Sequence, residues 1–96
     1  MRTNDLVRTI PAEVPTLREL RRKRGYSLEA VELLSGTDGD DGVDPSTQSR
    51  LERGLTEPTR RTVVKLARAY RTSVKTMVEI IRQSAKTAVA EEVTTE

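Results

Sequence analysis

Apolar residues in this chain recur at intervals of three and four, and nowhere alternate as they do in a strand. The first such segment opens with Thr16-Leu17-Arg18-Glu19, a capping-box pattern in which the Thr hydroxyl and the Glu carboxylate each take up the other residue's backbone N–H. It predicts a helix to Arg24 with Leu17 and Leu20 inward, stopped by Gly25. Ser27 is placed to cap a second helix over 28–35, with Leu28, Val31 and either Leu34 or Ser35 inward, Leu33 off the stripe, and Gly36 as its end. Asp44-Pro45 opens a third, about 45–53. The Asp can accept free backbone N–H groups, and Pro at the first helical position gives up no hydrogen bond. Gly54 stops it. Pro58-Thr59 starts a fourth, about 60–70, striped by Val63, Leu66, Ala67 and Tyr70 and widened by Val64. Ser73 caps a long fifth, whose Val74, Met77, Val78, Ile81, Ala85 and Ala88 share a face.

The prediction is an all-α fold of five helices. The third is unusual in having Leu51 as its only large apolar residue, with Val43 just before it. Most of its surface must therefore lie in water or against a polar partner. Residues 1–15 read as an arm, because Ile10-Pro11 and Val14-Pro15 both push the preceding residue away from helical backbone. The last residues, "AEEVTTE", are expected to fray. Residues 37–42, "TDGDDG", contain no apolar residue and read as a flexible, solvated loop.

Composition narrows the function. At 96 residues and 34% hydrophobic, with Tyr26 and Tyr70 the only aromatics, the chain makes one small domain whose core would gain from a partner subunit. Cys and His are both absent. That removes disulfides, thiolate zinc sites and the commonest general base, and leaves an enzyme dependent on a carboxylate pair that no evident pocket supplies. No apolar run approaches the roughly 20 residues of a membrane span, and residues 1–15 lack a signal peptide's apolar stretch. The expected location is a cytoplasm.

The net charge of +2 hides an uneven distribution. Residues 17–24 hold five basic groups against Glu19, residues 50–71 hold seven against Glu52 and Glu57, and residues 37–44 between them hold four Asp and no base. Basic segments that converge on one face suit a polyanion, whereas any single Arg is more simply a solvated surface residue. The Asp-rich stretch resembles a calcium loop only superficially. Such a loop needs ligands at positions 1, 3, 5 and 12 with Gly at 6. Starting at Asp38 puts Gly42 at 5 and Val43 at 6, and starting at Asp40 puts Pro45 at 6 and Leu51 at 12. No metal site is expected.

With the helices placed, "LRELRRKRGYSLEAVELLSG", "VDPSTQSRLERG" and "PTRRTVVKLARAYRTSVKTM" resemble the helix-turn-helix family of lambdoid phage repressors, Cro proteins and Xre-type regulators. The matching features are Leu-Arg-x-Leu-Arg before Gly25, Ser27, Leu51-Glu52-Arg53-Gly54, Pro58, and Leu66-Ala67-x-Ala69-Tyr70 followed by Ser73. The match covers about 16–78, a helix-turn-helix domain following the 1–15 arm, with 79–96 as a C-terminal helix extension and tail.

The resemblance implies a lambda-repressor-like DNA-binding domain whose third helix enters the major groove, where each base pair shows a distinct donor and acceptor pattern. Carried over residue by residue, Pro45, Ser46, Thr47, Ser49 and Arg50 face the bases, with Arg50 the strongest reader of guanine. Ser27, Leu28, Asp44, Arg53, Gly54, Leu55, Arg60 and Arg61 fall near phosphates. Arg21 and Glu52 form a structural ion pair, and Met77, Ile80, Ile81 and Ala85 form a dimer contact. Four departures bear on the angle between the second and third helices. Gln48 replaces a buried aliphatic, Glu32 a small Ala and Leu28 a Gln, and "TDGDDG" lengthens a turn that is tight in the family. The implied function is a homodimeric phage- or plasmid-type repressor on an inverted-repeat operator of double-stranded DNA, in a bacterial cell or phage-infected host, needing no cofactor. The alternatives are an antitoxin of the same fold that also binds a toxin protein, and a protein-interaction adaptor that has lost DNA binding.

Overall fold

In a computed structural model, residues 14–37 and 39–94 are described, and they form five helices: α1 Leu17–Arg24, α2 Leu28–Ser35, α3 Pro45–Glu52, α4 Arg60–Tyr70 and α5 Val74–Thr94. The expected arm lies almost wholly outside the described residues; from Val14 the chain packs on the core. The starts follow the local chemistry. Thr16 and Glu19 complete the capping box, at 3.0 and 3.1 Å. Ser27, Thr59 and Ser73 accept the N–H of Ala30, Thr62 and Thr76. Gly25, at φ 72°, turns the chain out of α1, with Tyr26 N–H returning to the Arg21 carbonyl.

α5 is the spine. It contacts α1, α3 and α4, while α2 packs on α4 and α3. The core is Leu17, Leu20, Val31, Val43, Leu51, Val63, Leu66, Ala67, Ala69, Tyr70, Met77, Ile80 and Ile81. Burial pushes the Tyr70 phenol upward, so it stays neutral beside Tyr26 at a ring separation of 5.8 Å.

Of the two residues open for the inward stripe of α2, Ser35 is the buried one and Leu34 is exposed. Two expectations need correcting. The inward stripe of α5 is Met77, Ile80, Ile81 and Ser84, rotated from the expected one so that Val74 is exposed. Ser84 is buried because it is satisfied: its hydroxyl takes the Leu17 N–H at 2.8 Å and donates to the Ile80 carbonyl at 3.0 Å. The backbone also stays helical to Thr94, past the Ala90 at which fraying was expected.

Candidate nucleic-acid interface

α3 buries only Gln48 and Leu51, with Glu52 nearly so, and leaves the rest half-buried or exposed. It is therefore held at its two ends rather than along a broad apolar face. At its C-terminal end the Glu52 carboxylate is 3% exposed. A carboxylate there meets the negative end of the helix dipole. Arg21 compensates with Nε 2.6 Å from Oε2 and Nη2 3.2 Å from Oε1, and its Nη1 reaches the Tyr26 carbonyl at 3.2 Å. One guanidinium thus joins α1, the turn after it and α3. Arg18, at 3.4 Å, adds a more exposed contact.

At the N-terminal end the described residues of the lengthened connection, 36–37 and 39–44, are tied to one another and to the helices beside them. Thr37 and Asp40 exchange backbone hydrogen bonds at 2.9 and 3.0 Å, closing a hairpin with Gly39 at φ 83°. The two ends of the excursion meet. A Cβ on Gly36 would lie 3.0 Å from the Gly42 nitrogen, and one on Gly42 would lie 1.8 Å from the Glu32 carbonyl oxygen. Only glycine at 42 permits that approach to α2. Ser35, fully buried, accepts the Val43 N–H at 2.9 Å and donates to the Glu32 carbonyl. With Thr37 and residues 39–42 set off from the short path, Gly36, Val43 and Asp44 make a turn of three residues, the length usual between such helices.

Gln48 completes this arrangement. Its amide, 1% exposed, donates to the Leu28 carbonyl at 2.9 Å and the Val43 carbonyl at 2.8 Å. The family's buried aliphatic is here replaced by a satisfied polar tie between α2, the turn and α3.

Asp40 and Asp41 lie on α4. Asp40 pairs with Arg61 at 2.6 Å and Lys65 at 3.2 Å, Lys65 also donates to the Asp41 carbonyl, and Arg68 donates to the Ser35 carbonyl at 3.2 Å. The Arg61 guanidinium, and after it the Lys65 ammonium, hold the Asp40 carboxyl below its ordinary range. Arg61 is therefore already matched with an anion of the same chain. Glu32, Asp40, Asp41 and Asp44 line an open acidic groove on this flank, and among the described residues no three acids are placed to hold a metal ion.

The outward edge of α3 runs through Ser46, Ser49, Arg50 and Arg53, spaced so that they share one side of the helix. Ser46, Arg50 and Arg53 are exposed, while Pro45, Thr47 and Ser49 are half-buried. Among the described residues Arg50 makes no ion pair or side-chain hydrogen bond. Asp44 is the helix cap. Its Oδ2 takes the Thr47 N–H at 3.2 Å and its Oδ1 the Thr47 hydroxyl at 2.7 Å, bonds that keep its carboxyl below the ordinary range. An ionised, committed carboxylate repels phosphate, which corrects Asp44 as a phosphate contact. Thr47, its proton already given to Asp44, can only accept.

Gly54 and Leu55 are corrected too. The N–H groups of Arg53, Gly54 and Leu55 all return to α3 carbonyls, at 3.1, 3.2 and 2.8 Å, so neither Gly54 nor Leu55 has a donor left for phosphate. Gly54 instead faces Ala85 and Ala88 of α5. The Arg53 and Arg60 side chains are exposed, and so is Ser27, whose hydroxyl caps α2 next to the half-buried Leu28.

Of the residues expected at a dimer contact, Met77, Ile80 and Ile81 are 0%, 2% and 6% exposed in the chain's own core, and Ala85 is exposed.

Sequence reasoning missed the tying residues Ser35, Gly42, Lys65 and Arg68. A signal existed for two of them, since Arg61, Lys65 and Arg68 recur at helical spacing opposite an Asp-rich segment of matching charge.

Two helices, α2 and α3, packed across a turn with the polar edge of the second presented outward, have the arrangement of a helix-turn-helix. Residues 15–79 match the family described as helix-turn-helix domain, and the chain belongs to that family. No curated protein and no solved structure matches it. Membership indicates a DNA-binding regulator, of a family that is typically non-enzymatic. Among the described residues no helix is long and apolar enough to cross a membrane.

Proposed function

We propose that this protein is a sequence-specific regulator of double-stranded DNA, a phage- or plasmid-type repressor that works as a homodimer by occupying an inverted-repeat operator. The observation that carries the reading is the outward edge of Ser46, Arg50 and Arg53, all exposed, with Ser49 half-buried among them, on a helix whose position is fixed at both ends. Arg50 reads guanine through O6 and N7, Ser46 and Ser49 donate or accept at neighbouring positions, and Pro45 offers only apolar contact to a thymine methyl. Arg53, Arg60 and the free N–H groups at the start of α2, beside Ser27 and Leu28, hold phosphates. Arg61 contributes only if Asp40 yields it. The protein acts in the cytoplasm of a bacterial cell or of a phage-infected host.

The restored three-residue turn favours this reading over an adaptor that has lost DNA binding, since Gln48 and the insertion preserve the approach of α2 to α3. The test is Arg50→Ala in a gel shift against the protein's own promoter region and against random duplex. The variant is expected to lose about 1–3 kcal/mol of discrimination while keeping weak, salt-sensitive non-specific binding. Equal loss on both duplexes removes Arg50 from the base-reading role.

A further inference from the structure

The first turn of α3 is short of hydrogen-bond donors. Pro45 has no N–H, and Asp44 takes both the N–H and the hydroxyl proton of Thr47, at 3.2 and 2.7 Å. Of Pro45, Ser46 and Thr47, only Ser46 keeps a donor. An ionised carboxylate has about four lone-pair sites, and the Thr47 bonds occupy one on each oxygen. The exposed Asp44 therefore still accepts through both oxygens. Arg50, on the same helix, only donates, and it makes no ion pair among the described residues. α3 thus runs from an acceptor end to a donor end. The acceptor end also lines the groove it shares with Glu32, Asp40 and Asp41, a flank too negative for phosphate.

We infer that Asp44 is a specificity-determining residue that selects cytosine, accepting from its N4 amino group in the major groove. The inference deepens the DNA reading above and rests on it. The first residues of a helix docked in this way are the ones that reach base edges. Cytosine presents a donor there with no acceptor beside it. Adenine sets N7 next to its N6 amino group, and guanine and thymine show acceptors only. A base without a donor leaves the carboxylate facing an acceptor, so Asp44 disfavours wrong sequences as well as favouring the right one. Asp44 and Arg50 stand about 9 Å apart along the helix at about 1.5 Å per residue. That distance is roughly two to three base-pair steps of about 3.4 Å, so the half-site joins a cytosine to the guanine read by Arg50 at that spacing.

Site selection from a randomised duplex pool with the full chain, followed by binding to fixed duplexes, tests the assignment. The selected half-site is expected to hold cytosine at that spacing from guanine. Replacing its C·G pair by T·A puts the thymine O4 acceptor in place of the N4 donor, and should weaken binding about 5- to 150-fold. Asp44→Asn keeps the cap, because Asn and Asp cap helices equally well, and its amide matches adenine N6 and N7. It is expected to keep its helical circular dichroism and to move the preference at this one position from cytosine to adenine, with guanine retained at the other. A residue that only caps would not move a base preference. Wild type without cytosine at that position, or Asp44→Asn with the wild-type preference, overturns the role of Asp44. If Asp44→Asn does not fold, Asp44→Ser carries the test, since Ser also caps but bonds donors and acceptors alike and should lose the preference. An enriched site with guanine and no dependence on cytosine overturns this inference alone. A chain that enriches no sequence sinks the DNA reading and this inference with it.

Discussion

The two ends of α3 are fixed by opposite chemistry. Its C-terminal end depends on one buried ion pair, Arg21 with Glu52, in which a single guanidinium serves a carboxylate and a carbonyl. Its N-terminal end depends on several neutral hydrogen bonds from Ser35 and Gln48, on the close approach of Gly42, and on exposed ion pairs beneath the hairpin. The first should fail all at once and the second in stages. Loop length itself matters little. Extending a turn from three residues to the nine of 36–44 costs roughly 1 kcal/mol of closure entropy. One satisfied hydrogen bond, worth about 0.5–1.5 kcal/mol, offsets much of that. An insertion is tolerated beside α3 when its ends are pinned together.

The largest expected effect is at the C-terminal end. Arg21→Ala leaves Glu52 buried beside the end of the helix dipole without its main partner, and should cost about 3–5 kcal/mol in urea unfolding. If the ends are independent, hydrogen exchange in this variant should rise first at α1 and the end of α3 while the 36–44 turn keeps its protection. Uniform loss across α2 and α3 would mean that the two ends form one cooperative unit.

At the N-terminal end each tie should cost less. Ser35→Ala strands the buried Val43 N–H, and Gln48→Leu removes both amide bonds while filling the space with the aliphatic character usual in the family. Each is expected to lose about 1–3 kcal/mol. Gln48→Glu should be worse than Gln48→Leu, because it sets a carboxylate against two carbonyl oxygens in a buried site. Denaturation midpoints that rank Leu below Glu would show that the amide is not the tie described here. Gly42→Ala forces a side chain into the Glu32 backbone and should match or exceed these losses.

The helices were readable because each start carries a capping residue whose chemistry is local: Thr16, Ser27, Asp44, Thr59 and Ser73 need only the following turn. The turn between α2 and α3 was not, because its order comes from residues distant in sequence. Nothing near "TDGDDG" indicates that a cationic stripe on α4 will receive Asp40. Ser84 was missed, and Ser35 was left as an alternative to Leu34, for a related reason. A small hydroxyl at a helix-stripe position looks polar until its partners, the Val43 and Leu17 N–H groups, are brought to it by the fold. For the candidate interface, spacing identified an exposed third helix but not which members had hydrogen-bonding capacity left. Gly54 and Leu55 lost theirs to the end of α3, and Asp44 gave part of its own to the cap.

The smallest effect is expected at Asp40, and it tests how the N-terminal end yields. Its pair with Arg61 is exposed on the Arg61 side and that with Lys65 is half-buried, both within reach of screening by salt, so Asp40→Asn should reduce stability only slightly at neutral pH and less again in high salt. The sign with pH is fixed by the lowered carboxyl. A group whose folded pKa lies below its unfolded value stabilises fully above about pH 4 and loses that contribution as pH falls through the folded value. The gap between wild type and Asp40→Asn should therefore close on acidification below about pH 4. Asp44 titrates in the same direction in both proteins and drops out of the difference. On DNA the same substitution frees Arg61 and removes a negative charge from the flank of α3. If the hairpin withholds Arg61 from phosphate, Asp40→Asn binds all duplexes more tightly and its binding falls more steeply with salt, by up to about one unit of log–log slope for one added phosphate contact. An unchanged slope would mean that Arg61 serves the fold alone, leaving Arg53 and Arg60 as the basic side chains near the duplex.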